Sequence, residues 1–127
     1  VIFIDAVSVT GHEGQDYIDK LDGNAVQRQI GAIRFAAEVD RIYADPGPAS
    51  TVVDEAFARR LVLTKAGSLS TVVWNPWIAK AQRRGDMGPE GYRCMVCVET
   101  ANCGETVVTV LPGETHAMSV RLAALAV

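Results

Sequence analysis

An all-β architecture, an antiparallel β-sandwich, is the fold this sequence predicts. Three observations carry the expectation. Short apolar or alternating runs follow one another along the chain; Gly, Pro, Asn or Asp cuts between them; and one segment alone carries helix signals. At 127 residues, with 49% hydrophobic and 21% charged residues, the chain fits a single domain, residues 1–127. Such a domain buries roughly two-thirds of its unfolded surface.

Val7-Ser8-Val9-Thr10 alternates and stops at Gly11 and Gly14. A strand around Tyr17 and Ile18 runs to the turn signal Asp22-Gly23-Asn24. Two further strands are expected at 32–35 and 39–43, before Pro46-Gly47-Pro48 breaks the chain. Arg60-Leu61-Val62-Leu63-Thr64-Lys65 and Thr71-Val72-Val73-Trp74 are strands on β-branched content. The exception is 77–84, which has room for two helical turns, with Pro76 acceptable at its start and Gly85 at its end. The longest strand is expected at 92–100. Two more follow at 105–111 and 116–127, although 120–127 is Ala- and Leu-rich and helical by propensity alone.

Net charge is −3, and the 12 Lys and Arg form no block beyond the doublets Arg59-Arg60 and Arg83-Arg84. Neither nucleic acid nor an anionic membrane is therefore an expected partner. No run approaches the ~20 apolar residues of a spanning helix. The odd set Cys94, Cys97 and Cys103 cannot pair fully within the chain, which suits free thiols in a reducing cytoplasm. The sequence opens on Val1-Ile2-Phe3-Ile4 rather than Met. It reads as a fragment or processed product whose first residues are a candidate sticky edge.

Several constellations invite a chemical reading. Cys94-x-x-Cys97 suggests a metal, but strand residues three apart face opposite ways, and small buried side chains are the simpler account. His12 and His116 lie in no catalytic or metal-binding motif, and each reads as an exposed or hydrogen-bonded structural histidine. No phosphate-cradling glycine loop and no nucleophile elbow is present. Trp74-Asn75-Pro76-Trp77 offers two indoles and an amide, either as a sugar platform or as plugs for the end of a core. Asp40 breaks an apolar alternation, as a solvated edge charge or as a carboxylate holding a sugar hydroxyl. Glu99 shares a strand face with Met95 and Cys97, while Val96, Val98 and Thr100 take the other. A carboxylate on the inner face loses water and titrates nearer neutrality, as a general base requires; on the outer face it is simply wet. Spacing leaves both open.

Taken together, Y-I-D-K at 17–20, E-V-D-R-I-Y at 38–43, T-V-V-W-N-P-W at 71–77, G-D-M at 85–87, M-V-C-V-E-T-A at 95–101 and L-P-G-E-T-H at 111–116 resemble one family. It is the hexose-6-phosphate mutarotases, or glucose-6-phosphate 1-epimerases, among the galactose-mutarotase-like β-sandwiches. The match runs in family order from near Val7 to the C-terminus and implies the C-terminal portion of a larger supersandwich. It implies that α and β anomers interconvert by ring opening, with Glu99 as general base and Asp40 on a substrate hydroxyl. Trp74 and Asn75 would shape the pocket, and no cofactor or metal is needed. The family's catalytic histidine and phosphate-binding arginines fall upstream of Val1, so these residues alone are expected to be inactive. Two other expectations stand beside this one: a non-catalytic carbohydrate-binding sandwich using Asp40, Trp74 and Trp77, and a truncated copy that self-associates through exposed strand edges.

Overall fold

The computed structural model describes every residue except Asp45, Pro46 and Pro48; the turn expected at Pro46 and Pro48 thus lies outside the described residues. Ten strands form two five-stranded antiparallel sheets. In chain order they are β1 (Val7–Thr10), β2 (Asp16–Asp19), β3 (Ala25–Arg28), β4 (Ile33–Arg34), β5 (Val39–Ala44), β6 (Ala49–Asp54), β7 (Arg59–Ala66), β8 (Ser70–Asn75), β9 (Cys97–Ala101) and β10 (Ser119–Ala126). The first sheet runs β10-β7-β6-β1-β4 and the second β3-β2-β5-β8-β9. The helix α1 (Trp77–Arg83) follows β8 directly, in the segment where helix signals were found.

The core between the sheets gathers one side of each central strand. Val7, Val9 and Val52 come from the first sheet and Tyr17, Val39, Tyr43 and Val73 from the second. Period-two alternation turns the other side of the same strands outward, and this outer face of the second sheet carries the site. His12 and Asp54 are polar side chains that enter the core and are bonded there. His12 is buried, its ring nitrogens bonded to Gln15 Oε1 at 3.2 Å and Ser50 Oγ at 2.9 Å, and it packs on Tyr43 at 4.4 Å. Burial holds its imidazole below the usual range, so it sits in the core as a neutral group. Asp54, also buried, accepts a hydrogen bond from Arg59 Nε at 2.8 Å.

Five elements depart from expectation. The strand expected at 92–100 is a 3-10 turn over Gly91–Cys94 followed by the short β9, because Tyr92 is drawn inward against Trp77 at a ring distance of 5.2 Å. The strand expected at 105–111 is a 3-10 turn over Gly104–Thr106 and then irregular chain; Val107, Val110 and Leu111 face solvent. Two strands, β3 and β6, arise where none was expected. Val1-Ile2-Phe3-Ile4 does not form an edge strand, since Ile2 and Ile4 are buried in the core and Ile4 opens a 3-10 turn.

Candidate active site

Strand register assembles the site. Asp40 on β5 lies opposite Trp74 on β8, and Trp74 lies opposite Cys97 on β9. One step along, Ile42 pairs with Val72 and Val72 with Glu99. Asp40, Trp74 and Cys97 thus form one cross-strand row, with Ile42, Val72 and Glu99 the next, all on the outer face. The orientation of β9 is fixed by Val96 and Val98, which pack against the core and leave Glu99 exposed on the opposite side. Of the two faces open to Glu99 in the sequence, the outer one is realised.

Over this face folds α1, and together they enclose an open cleft of about 400 Å³ lined by Asp40, Val72, Trp74, Lys80, Arg84 and Glu99. Two carboxylates flank an indole. By strand spacing, the Asp40 and Glu99 backbones are about 12 Å apart, two strands across and two residues along.

Charges around the cleft are paired unequally. Asp40 is half-buried, and burial pushes its carboxyl above the usual range; Lys80 pulls it back while Glu38 reinforces the rise. Lys80 ion-pairs with Glu38, and its Nζ stands 4.0 Å from Asp40 Oδ2. The Arg84 guanidinium lies 5.4 Å over the Trp74 ring and donates twice to Asp86, at 3.0 and 2.9 Å. Beside Glu99, the Cys97 thiol is pushed up by burial and then by the charge and hydrogen bond of Glu99. It remains a protonated donor rather than a nucleophile.

The W-N-P-W segment divides its labour. Trp74 faces the cleft, whereas Trp77 packs on the core, so the two indoles neither form a joint platform nor jointly plug the core. Asn75 is not on the cleft surface. Its side chain is 0% exposed; Nδ2 donates to the Tyr92 and Met95 carbonyls, each at 2.9 Å, and Oδ1 accepts the Trp77 N–H at 2.9 Å. Those bonds hold Trp77 at φ 53, a conformation rare for a bulky residue, and thereby fix where α1 begins.

Lys80 and Arg84 were not among the predicted site residues. Their i, i+4 spacing at the end of the expected helix placed both on one face, which was the available signal. A second cavity, about 340 Å³ and lined by apolar residues such as Val52, Leu61, Leu63, Val96 and Leu122, opens between the sheets. It lacks the paired carboxylates of the cleft. Among the described residues no group of three His, Cys, Asp or Glu could hold a metal ion, Cys94, Cys97 and Cys103 are unpaired, and no helix is long and apolar enough to cross a membrane.

Comparison with known proteins places these features in a lineage. A protein from Cenchrus ciliaris provisionally named glucose-6-phosphate 1-epimerase is 38% identical over 112 residues, 87% of this chain and 34% of that protein. One of the same provisional name from Escherichia coli (strain K12) is 37% identical over 119 residues, 92% of this chain and 40% of that protein. The chain therefore spans between 34% and 40% of the length of these two relatives. Among solved structures, a provisionally titled mutarotase (YeaD) from Salmonella typhimurium superposes with a TM-score of 0.73 at 34% identity, covering 79% of this chain and 34% of that one. The structure titled HI1317 superposes at 0.80 over 98% of this chain and 43% of that one; at 24% identity it speaks for the fold alone. The family model described as aldose 1-epimerase matches residues 2–123, and with that span the chain belongs to the aldose 1-epimerase family.

Proposed function

We propose that these residues form the general-base half of a site that interconverts the anomers of a hexose 6-phosphate such as glucose 6-phosphate. The observation that carries this reading is the convergence of Asp40, Trp74 and Glu99 on one cleft of the outer sheet face. The sugar lies beside Trp74 and Arg84, Asp40 accepts a hydrogen bond from a ring hydroxyl, and Glu99 takes the proton from the anomeric hydroxyl. As that O–H electron pair forms the aldehyde carbonyl, the bond from C1 to the ring oxygen breaks, and the ring oxygen takes its electron pair and a proton from an acid. Rotation about C1–C2 and the reverse steps give the other anomer with no net change in protons. Asn75 serves by fixing the start of α1 rather than by touching sugar.

The acid and the phosphate clamp are proposed to lie outside residues 1–127. His12 is neutral and fully engaged in the core, and His116 Nε2 donates to the Gly67 carbonyl at 2.8 Å; neither lines the cleft. Three unpaired thiols suit a cytoplasmic setting. The 127-residue chain alone is expected to leave glucose 6-phosphate anomer exchange, followed by NMR, at its uncatalysed rate. Turnover like that of a complete mutarotase would overturn the division of the site.

A second reading, a sugar-binding module without catalysis, is favoured by the solvent exposure of Glu99 and is separated from the first by the Glu99 variant argued in the Discussion. Self-association is a further proposal. On its far side from β7, the edge strand β10 is unpaired, and Val120, Leu122 and Leu125 on it are all more than half exposed. Arg121 is its one charge and it has no proline, so it lacks the usual protection of an edge. Light scattering is expected to show dimers or larger species whose share rises with concentration and falls in Leu122→Lys. A monomer throughout the concentration range rules this out.

A further inference from the structure

Helix α1 carries one cation into the acidic corner of the cleft. We propose that Lys80 is the positioning residue of the site: it draws Glu38 and Asp40 into one cluster and holds the Asp40 carboxylate aimed at the substrate. The inference rests on the reading of Asp40 as a hydroxyl-binding group.

Geometry supports it in three steps. Glu38 precedes β5 and Asp40 stands on it, two residues apart, so both side chains leave the strand on the same outer side. Two carboxylates so placed repel, and a cation between them relieves that repulsion. Lys80 is that cation: it ion-pairs with Glu38 and approaches Asp40 Oδ2 at 4.0 Å, with about a third of its own side chain exposed and about a quarter of each carboxylate's. Finally, the backbone that carries Lys80 is held in place. The one-sided anchoring of α1 by Asn75 and Trp77 sets its first turn, and Lys80 follows one turn later.

Charges facing Asp40 come from several elements. Lys20 and Asp19 lie at the end of the neighbouring β2 with opposite effects, Glu38 raises its protonation, and Lys80 is the largest electrostatic influence against burial. Arg84 and Glu99 complete the charged lining of the cleft. Removing Lys80 leaves burial and Glu38 to act together, so Asp40 binds its proton at higher pH and its carboxylate turns from Glu38.

The test reads Asp40 directly. In the 127-residue chain, the carbon-13 signal of the Asp40 carboxyl is titrated in the wild type, Lys80→Met and Lys80→Arg. Lys80→Met is expected to move the midpoint upward by about one pH unit, and Lys80→Arg to restore it. An unmoved midpoint in Lys80→Met overturns the inference. In a complete chimera, the E. coli relative with its matching segment replaced by these residues, Lys80→Met is expected to raise KM with little change in kcat, and the rise to set in at higher pH than in the unsubstituted chimera. A loss confined to the phosphorylated sugar and absent with glucose would make Lys80 a phosphate ligand instead, and would also overturn it. If the midpoint shifts but Asp40→Asn leaves KM unchanged, the failure belongs to the hydroxyl-binding reading of Asp40, and the positioning role falls with it.

Discussion

Glu99→Gln in the complete chimera is expected to slow glucose 6-phosphate anomer exchange by about 10²–10⁴-fold, with sugar binding retained. The substitution keeps the size of the side chain and its capacity to accept a hydrogen bond, but the amide cannot take the proton from the anomeric hydroxyl. Glu99 is solvent-exposed on the outer face, so the change empties no core space and leaves no buried charge behind. Its cost in stability is expected within about 0.5 kcal/mol. That separation matters, because a slower reaction at unchanged melting temperature isolates chemistry from folding. Magnetisation transfer between the α and β anomeric protons measures exchange, and calorimetric titration with glucose 6-phosphate measures binding. Unchanged exchange would remove the base role and leave the sugar-binding module; lost binding would point to a ligand contact rather than a proton acceptor.

How far the sequence could reach is seen best at particular residues. Alternation in β9 separated Met95, Cys97 and Glu99 from Val96 and Val98, but a strand alone does not say which side is covered. The answer lies in the opposing sheet, whose Leu61 and Leu63 join Val96 and Val98 at the partly filled margin of the core. The strand β6 hid for a related reason. Its inward residues are Ser50, Val52 and Asp54, two of them polar, so its alternation does not look hydrophobic. Those polar groups are tolerated because each meets a specific partner, His12 for Ser50 and Arg59 for Asp54. In β10 the Ala- and Leu-rich composition favoured helix, yet pairing along its whole length with β7 prevails; ladder bonds and tertiary context outweigh propensity differences of a few tenths of a kcal/mol per residue. The short β3 has mostly exposed side chains, which leaves no apolar pattern to detect. Asp40 and Glu99 needed the resemblance, because what singles them out is a register across three strands, and no local pattern encodes that.

The same reasoning makes Asn75→Ala the most damaging single change to the fold near the site. Three backbone groups depend on this one buried amide: the Tyr92 and Met95 carbonyls and the Trp77 N–H. An alanine leaves them without this partner; Asn75 is itself 0% exposed, its bond to the Tyr92 carbonyl is buried, and those to Met95 and Trp77 are partly buried. Each unmet buried group costs about 1–3 kcal/mol. Some recovery by water or second lone pairs is expected, so the net loss is about 3–5 kcal/mol. Trp77 offsets part of this, because its backbone at φ 53 stores about 1–3 kcal/mol of strain that relaxes when the Asn75 bracket no longer holds it. Once the bracket is gone, α1 is free to rotate, and the 3-10 turn before β9 loses its tie to β8. Lys80 and Glu99 then lose their common frame although neither has been altered. Asn75→Asp discriminates between the two halves of the bracket: it keeps an acceptor for the Trp77 N–H but turns both donors toward the carbonyls into acceptors. If the donors matter most, Asn75→Asp destabilises at least as much as Asn75→Ala; if capping Trp77 matters most, it is the milder change. Denaturant melts of the chain decide this. A loss under about 1 kcal/mol for both variants, the size of an ordinary exposed hydrogen bond, would mean that Asn75 does not hold the site together.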